Sequence, residues 1–446
     1  MHPDRRRLLH LTGLGVLIAA PAAAQPTAKP AIQPGASALV PNSDTVQTAA
    51  LQAAIDAAAA NVTPLVLPPG IYRTRTLSLR PGTVLAGSLG RTTLLMTGEG
   101  PILQAQGCEG LRIFGLSLLG GHTPAGPSDH AAIAEFEDCR HLDISDVLIR
   151  QGVRNGIGAR ACSGRIASCD VTDVADAAIF ALDSTLTISN NTISGCGNNG
   201  ILIWRSKPQE DGSQVTGNRI ANISANAGGS GQNGNGINVF RAGSVQVSGN
   251  RITDCAYSAI RGNAASNVMV TGNHCERSGE VAIYAEFAFT GALIANNLID
   301  AAATGISVTN FNEGGRLAVV QGNLIRNLVR REQESADKRG EGIAVEADTI
   351  VTGNTIENAA TCGIWLGTGR YMRDVTASAN LIRNTPVGIL ISADPAAGRA
   401  LVTGNMISGT KDGAIRAQSG GHPFGPDLAR EPATSGRVTI SGNSAA

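Results

Sequence analysis

The chain has 446 residues, 35 basic against 35 acidic side chains, 55 glycines and only 3% aromatic residues. Zero net charge leaves no long-range field to gather a polyanion, so nucleic acid and anionic lipid are excluded as general partners. Length does not count domains here, because a solenoid grows by adding rungs to one core; the repeats decide.

The first residues run Asp4-Arg5-Arg6-Arg7-Leu8-Leu9-His10, then an apolar stretch from Leu11 to Ala20, then Ala22-Ala23-Ala24 before Gln25. A basic head, a short apolar core and an Ala-x-Ala end predict a cleavable signal peptide over residues 1–24. The adjacent arginines resemble a twin-arginine signal, which makes the twin-arginine translocase a partner during export; an ordinary secretory signal is the alternative. The mature chain is expected from about Gln25, in the periplasm or secreted. No later segment reaches the roughly 18 apolar residues of a membrane span.

A Pro/Ala/Gln/Ser linker occupies 25–43. Ser43 or Asp44 can then cap an Ala-rich helix over about 44–60, with Val46, Leu51 and Ile55 on its apolar side. Short strands with turn punctuation come next, at Leu65-Val66-Leu67, Ile71-Tyr72, Leu77-Ser78-Leu79 and Val84-Leu85-Ala86.

From about residue 100 the chain repeats. Asn turns stand at Asn191, Asn218, Asn250, Asn273, Asn297, Asn323, Asn354, Asn380, Asn405 and Asn443. Between them a small residue precedes Ile at Gly200-Ile201, Gly236-Ile237, Ala259-Ile260, Ala282-Ile283, Gly305-Ile306, Gly342-Ile343, Gly363-Ile364, Gly388-Ile389 and Ala414-Ile415. Asn to Ile is usually nine or ten residues and a full turn usually 23 to 27, the period of a β-solenoid coil. Asn and Gly tolerate the left-handed backbone of a corner, and stacked Asn side chains can hydrogen-bond along the axis. Two turns run long in one sector, at Ala225–Asn235 and Arg330–Arg339; insertions on one side of a solenoid build the walls of a binding face.

The eight cysteines form no Cys-x-x-Cys pair and no metal-spaced Cys/His cluster, so neither a metal nor another cofactor is expected. Pairs about one repeat apart, Cys139 with Cys162 and Cys169 with Cys196, are expected to stack as small buried side chains.

The run Leu51-Gln52-Ala53-Ala54-Ile55-Asp56-Ala57-Ala58, followed by Leu67-Pro68-Pro69-Gly70-Ile71-Tyr72, resembles the opening segment of pectin-lyase-like β-helices, in which the helix caps the open end of the coil. With the arginine signal and the Gly-Asn repeats, the chain resembles the twin-arginine-translocated β-helical repeat proteins of bacteria over nearly its whole length. The resemblance implies an all-β, single-stranded right-handed parallel β-helix over 44–446. It implies an architecture shared with sugar hydrolases and carbohydrate-binding proteins and supplies no reaction.

If each Ile points inward, the residues one place after it form an outward column: Leu202, Asn238, Arg261, Tyr284, Ser307, Ala344, Trp365, Leu390, Arg416. Three places after comes a second: Trp204, Phe240, Asn263, Glu286, Thr309, Glu346, Gly367, Ser392, Gln418. Both tryptophans fall here. Aromatic faces beside amides and charges suit a polysaccharide or oligosaccharide, so Trp204, Arg205, Asn238, Phe240, Asn263 and Trp365 are the candidate substrate-binding residues, with Arg205 and Arg241 adding positive charge for an acidic sugar. Aromatics that merely stiffen the sheet are the alternative.

Glu286 and Glu346 stand two rungs apart, roughly 10 Å between backbones at ~4.8 Å per rung, which permits an inverting pair of carboxylates. For elimination, Arg241 and Arg261 beside Tyr284 could abstract a proton and stabilise an enolate. Neither the aspartate cluster of calcium-dependent pectate lyases nor the paired aspartates of polygalacturonase-type hydrolases is present. A weaker candidate is Asp129-His130 with His122, and Gly420–Pro426 is expected to be a late excursion. The expected function is an exported carbohydrate-active β-helix, a polysaccharide hydrolase or lyase, or a glycan-binding or envelope-organising repeat protein.

Overall fold

The computed structural model describes residues 39–229, 231–309, 314–331, 340–431 and 436–446. The signal peptide, most of the linker and residues 332–339 of the second insertion lie outside them.

The chain winds as a right-handed parallel β-helix. One face is a fifteen-stranded sheet, and a further twenty-eight strands make up the other two faces, joined because strands His274–Glu286 and Leu298–Thr309 run through a corner from one face to the other. Among the described residues the strand pairings are parallel except for a terminal hairpin that sets Ala417 against Phe424.

The Ile landmarks form one inward stack. Ile201 pairs with Ile237, then Ile260, Ile283, Ile306, Ile343, Ile364, Ile389 and Ile415, each at most 1% exposed. The small residue before Ile has a steric cause. A Cβ added to Gly363 would sit 2.4 Å from Ile382 Cγ2 and 2.7 Å from the Gly388 carbonyl oxygen. Gly363→Ala is therefore expected to lower stability by about 1–3 kcal/mol through overpacking, seen as a lower denaturant midpoint.

The Asn turns form the expected ladder. Each Asn Nδ2 donates to the Oδ1 of the Asn one turn on, from Asn191 through Asn218, Asn250, Asn273, Asn297, Asn323, Asn354, Asn380 and Asn405 to Asn443, at 2.9–3.0 Å. Many surface arginines also reach back one turn to a carboxylate, as Arg277 to Asp254 at 2.6 Å, Arg326 to Asp300 at 2.8 Å and Arg373 to Asp348 at 2.7 Å. Such exposed pairs are individually weak, but they place much of the balanced charge between rungs.

The helix runs Thr48–Ala60 and lies against the first strands, burying Leu51, Ala54, Ile55 and Ala58. It starts later than the expected Ser43 or Asp44 cap. Ser43 Oγ accepts from the Thr45 amide in a local turn, and Gln47, at the cap position, spends its side chain on both backbone groups of Val40. Val46 accordingly precedes the helix and is half exposed.

All eight cysteines are buried and unbridged. Cys139 and Cys162 stack in neighbouring rungs. Cys169 and Cys196 do not: Cys169 heads the Asn column beside Asn191, whereas Cys196 pairs with Val174 at another corner. Burial pushes both of these thiols up to about 12, which keeps them protonated and inert at neutral pH.

Candidate functional site

The two outward columns stack as their spacing predicts. Leu202 pairs with Asn238, Arg261, Tyr284, Ser307, Ala344, Trp365, Leu390 and Arg416 in successive turns. Trp204 pairs with Phe240, Asn263, Glu286 and Thr309. Glu346 follows, its amide bonded to the Val308 carbonyl. One earlier turn adds Phe180 beneath Leu202 and Leu182 beneath Trp204. The signal for Phe180 was present: Ala178-Ile179 has the same landmark form, and Phe180 stands one place after its Ile.

Walls rise on both sides of this face. The first insertion stands on one side, with Ala227, Gly231, Gln232 and Asn233 lining clefts. On the other, strand Asn199–Glu210 runs past Trp204 into an excursion where the register shifts before Gln209, and Ser206 of this excursion lines the larger cleft. The periodicity did not reveal this second wall.

Between the walls Phe180, Trp204 and Phe240 form an aromatic row, with edge-to-face contacts at 5.4 and 5.5 Å between centroids. Trp204 Nε1 donates to Asn238 Oδ1 at 3.2 Å, and Asn238 Nδ2 donates to the Gly231 carbonyl at 3.2 Å, so the insertion is tied to the sheet. A cleft of about 510 Å³ lies on the Phe180 side of Trp204, with Asp129, Arg154, Asp176 and Asn198 among its lining residues. A second, of about 260 Å³, is lined by Trp204, Gln232, Asn238, Phe240 and Asn263. They share Trp204 and Gln232. Apolar ring faces with amides around them can stack a sugar ring and satisfy its hydroxyls.

The charged candidates are differently disposed. Arg205 is buried in an ion pair with Asp211 at 2.6 Å, with side chains only 10% and 0% exposed, and also donates to the Ser184 carbonyl. It fastens the excursion and is not a rim cation. Arg241 lies past the end of the aligned column in a left-handed conformation, its guanidinium 4.5 Å from the Phe240 ring centroid and bonded to the Ser206 carbonyl. Arg261 is buried over the Tyr284 ring, 2.6 Å from Glu286 and 3.5 Å from Glu280. Asn263 Nδ2 donates to the same Glu286 oxygen at 2.8 Å. Glu286 and Glu346 share the column but are each 2% exposed.

Trp365 is separate from the aromatic row. It packs with Leu390, Val387 and Cys362, its Nε1 donates to the Gly367 carbonyl at 2.9 Å, and Gly421 of the late loop lies against its ring. His122 lies 3.5 Å from Asp173, apart from His130, which is buried 2.9 Å from Asp129. Hydrogen bonding from His130 holds the Asp129 carboxyl below its ordinary range. Among the described residues no three His, Cys, Asp or Glu side chains converge as a metal site would require.

A family model described as periplasmic copper-binding protein (NosD) matches residues 125–274, and one described as the right handed beta helix region matches residues 206–347. No curated protein matches the chain in sequence. Solved structures share the fold. Gene product 12 of bacteriophage phi29 is 14% identical with a TM-score of 0.61, covering 87% of this chain and 57% of its own. The tailspike protein of E. coli bacteriophage HK620, solved with a pentasaccharide, is 13% identical at 0.57, covering 91% and 76%. The catalytic unit of a GH87 alpha-1,3-glucanase from Streptomyces thermodiastaticus is 15% identical at 0.51, covering 96% and 70%. The chain thus spans little more than half of the phi29 protein.

Proposed function

We propose that this chain is an exported, glycan-binding β-helix of the bacterial cell envelope, and that its ligand is an oligosaccharide or polysaccharide segment lying against Trp204 in the walled groove. The aromatic row of Phe180, Trp204 and Phe240, set between amides and two walls, carries this reading. The arginine-rich leader supports export by the twin-arginine route, and the match to a periplasmic family supports an envelope location. The pentasaccharide-bound tailspike and the glucanase are solenoids of the same fold that handle glycans.

Binding is favoured over cleavage because Glu286 is engaged by Arg261 and Asn263 and is buried, as is Glu346. In this reading Glu286 orients Asn263 at the edge of the second cleft. Copper does not enter the proposal: the described residues offer no convergent donor set, and the thiols that soft copper would favour are buried in the coil.

Incubation with a panel of neutral, acidic and amino-sugar oligosaccharides tests the reading. Saturable binding is expected, with neither unsaturated uronate absorbance nor new reducing ends. Trp204→Ala should weaken binding at least about tenfold, as loss of a central aromatic anchor does, with an unchanged circular dichroism spectrum. Release of product would move the assignment to a lyase or hydrolase.

A further inference from the structure

We infer that the groove selects oligosaccharides bearing a free, protonated amino group rather than uronates. This rests on the groove binding a glycan at all, and it reverses the preference for acidic sugars that the arginine positions suggest in the sequence.

The cations beside the groove are engaged by the protein itself. Arg205 is neutralised by Asp211 beneath the excursion. Arg241 is laid over the Phe240 ring and bonded to a carbonyl. Arg261 is buried against Glu286 and Glu280. Arg154, the one basic residue lining the larger cleft, is 2.6 Å from Asp176. Lys207 and Glu210 are exposed on the excursion, and neither lines a cleft.

The anions are not consumed in the same way. Asp176 accepts from Arg154 and from Asn198 Nδ2 at 2.9 Å. Asp129 meets His130 through one oxygen, and no guanidinium among the described residues is ion-paired with it. Its side chain is 60% exposed where it lines the cleft that also holds Phe180 and Trp204. A cationic amino sugar stacked there would bring its ammonium to Asp129 and to aromatic faces, both attractive to positive charge. A uronate would meet Asp129 with like charge, and the guanidinia near it, Arg154 and Arg160, are already paired with Asp176 and Glu137.

Calorimetric titration of the full chain with glucosamine tetramer, N-acetylglucosamine tetramer and galacturonate tetramer, at low and high salt, tests this. The glucosamine oligomer should bind most tightly and lose affinity with salt. Asp129→Asn should cost that oligomer about threefold to fivefold, the size of one solvent-open ion pair, and leave the N-acetylated oligomer unaffected. Trp204→Ala should weaken both. Tighter binding of galacturonate, or an Asp129→Asn variant with unchanged glucosamine affinity, overturns the amino-sugar assignment while glycan binding stands. Absence of binding by every oligomer overturns the glycan reading itself.

Discussion

Replacing Arg261 with Met should lower stability by about 3–5 kcal/mol, the cost of removing one partner from a buried ion pair. Its guanidinium lies 2.6 Å from Glu286 and 3.5 Å from Glu280, and the three side chains are 6%, 3% and 0% exposed. Taking away this cation removes an attractive charge from two desolvated carboxylates. Glu286→Gln introduced beside Arg261→Met should recover part of the loss, because it removes one of those buried charges. Urea unfolding of the single and double variants measures both effects. An Arg261→Met midpoint within experimental error of the parent would mean that the cluster is not maintained as a charged, buried unit.

Asn297→Ala should lower stability by about 3 kcal/mol or more. Asn297 Oδ1 accepts from both the backbone amide and the side-chain amide of Asn273, at 2.9 and 3.0 Å. Its own Nδ2 donates to the Val270 carbonyl and to Asn323 Oδ1, both at 3.0 Å. Truncation therefore orphans the buried Asn273 backbone amide, takes one of the partners of Asn273 Nδ2, which keeps the Val247 carbonyl, and removes a donor from the Val270 carbonyl, with each unsatisfied group costing roughly 1–3 kcal/mol. Solenoid stability is close to a sum of rung and neighbour terms, so the damage should be local. Native-state hydrogen exchange should show faster exchange concentrated in the rungs around Asn273, Asn297 and Asn323. Uniform acceleration along the coil would contradict the ladder as a local clamp.

The scaffold was legible because its constraints are periodic. A corner that needs a left-handed backbone selects Asn, and a strand packed against the Ile of a neighbouring face selects Gly or Ala before its own Ile. Together they located the inward stack and both outward columns residue by residue. Depth was not legible. Spacing says that Glu286 and Arg261 point away from the Ile core, but not that they are covered, and burial converts a pair of apparent catalysts into an internal ion pair. Partners in irregular excursions were equally hidden: Arg205 reads as a rim cation until Asp211, six residues on, folds back beneath it. Asp129 lies on a Gly/Pro-rich loop outside the repeat grammar, so its place beside Phe180 and Trp204 emerged only in three dimensions.

The chain has two tryptophans, and they occupy different surroundings: Trp204 lines both clefts, whereas Trp365 is packed under the late loop. Single-tryptophan variants therefore report on each place separately. Titrating Trp365→Phe and Trp204→Phe with a glucosamine oligosaccharide while following emission tests the groove most directly. A saturable change in Trp365→Phe, where Trp204 is the remaining reporter, and none in Trp204→Phe is the expected result. A silent Trp365→Phe titration under conditions where calorimetry detects binding would place the glycan elsewhere on the coil.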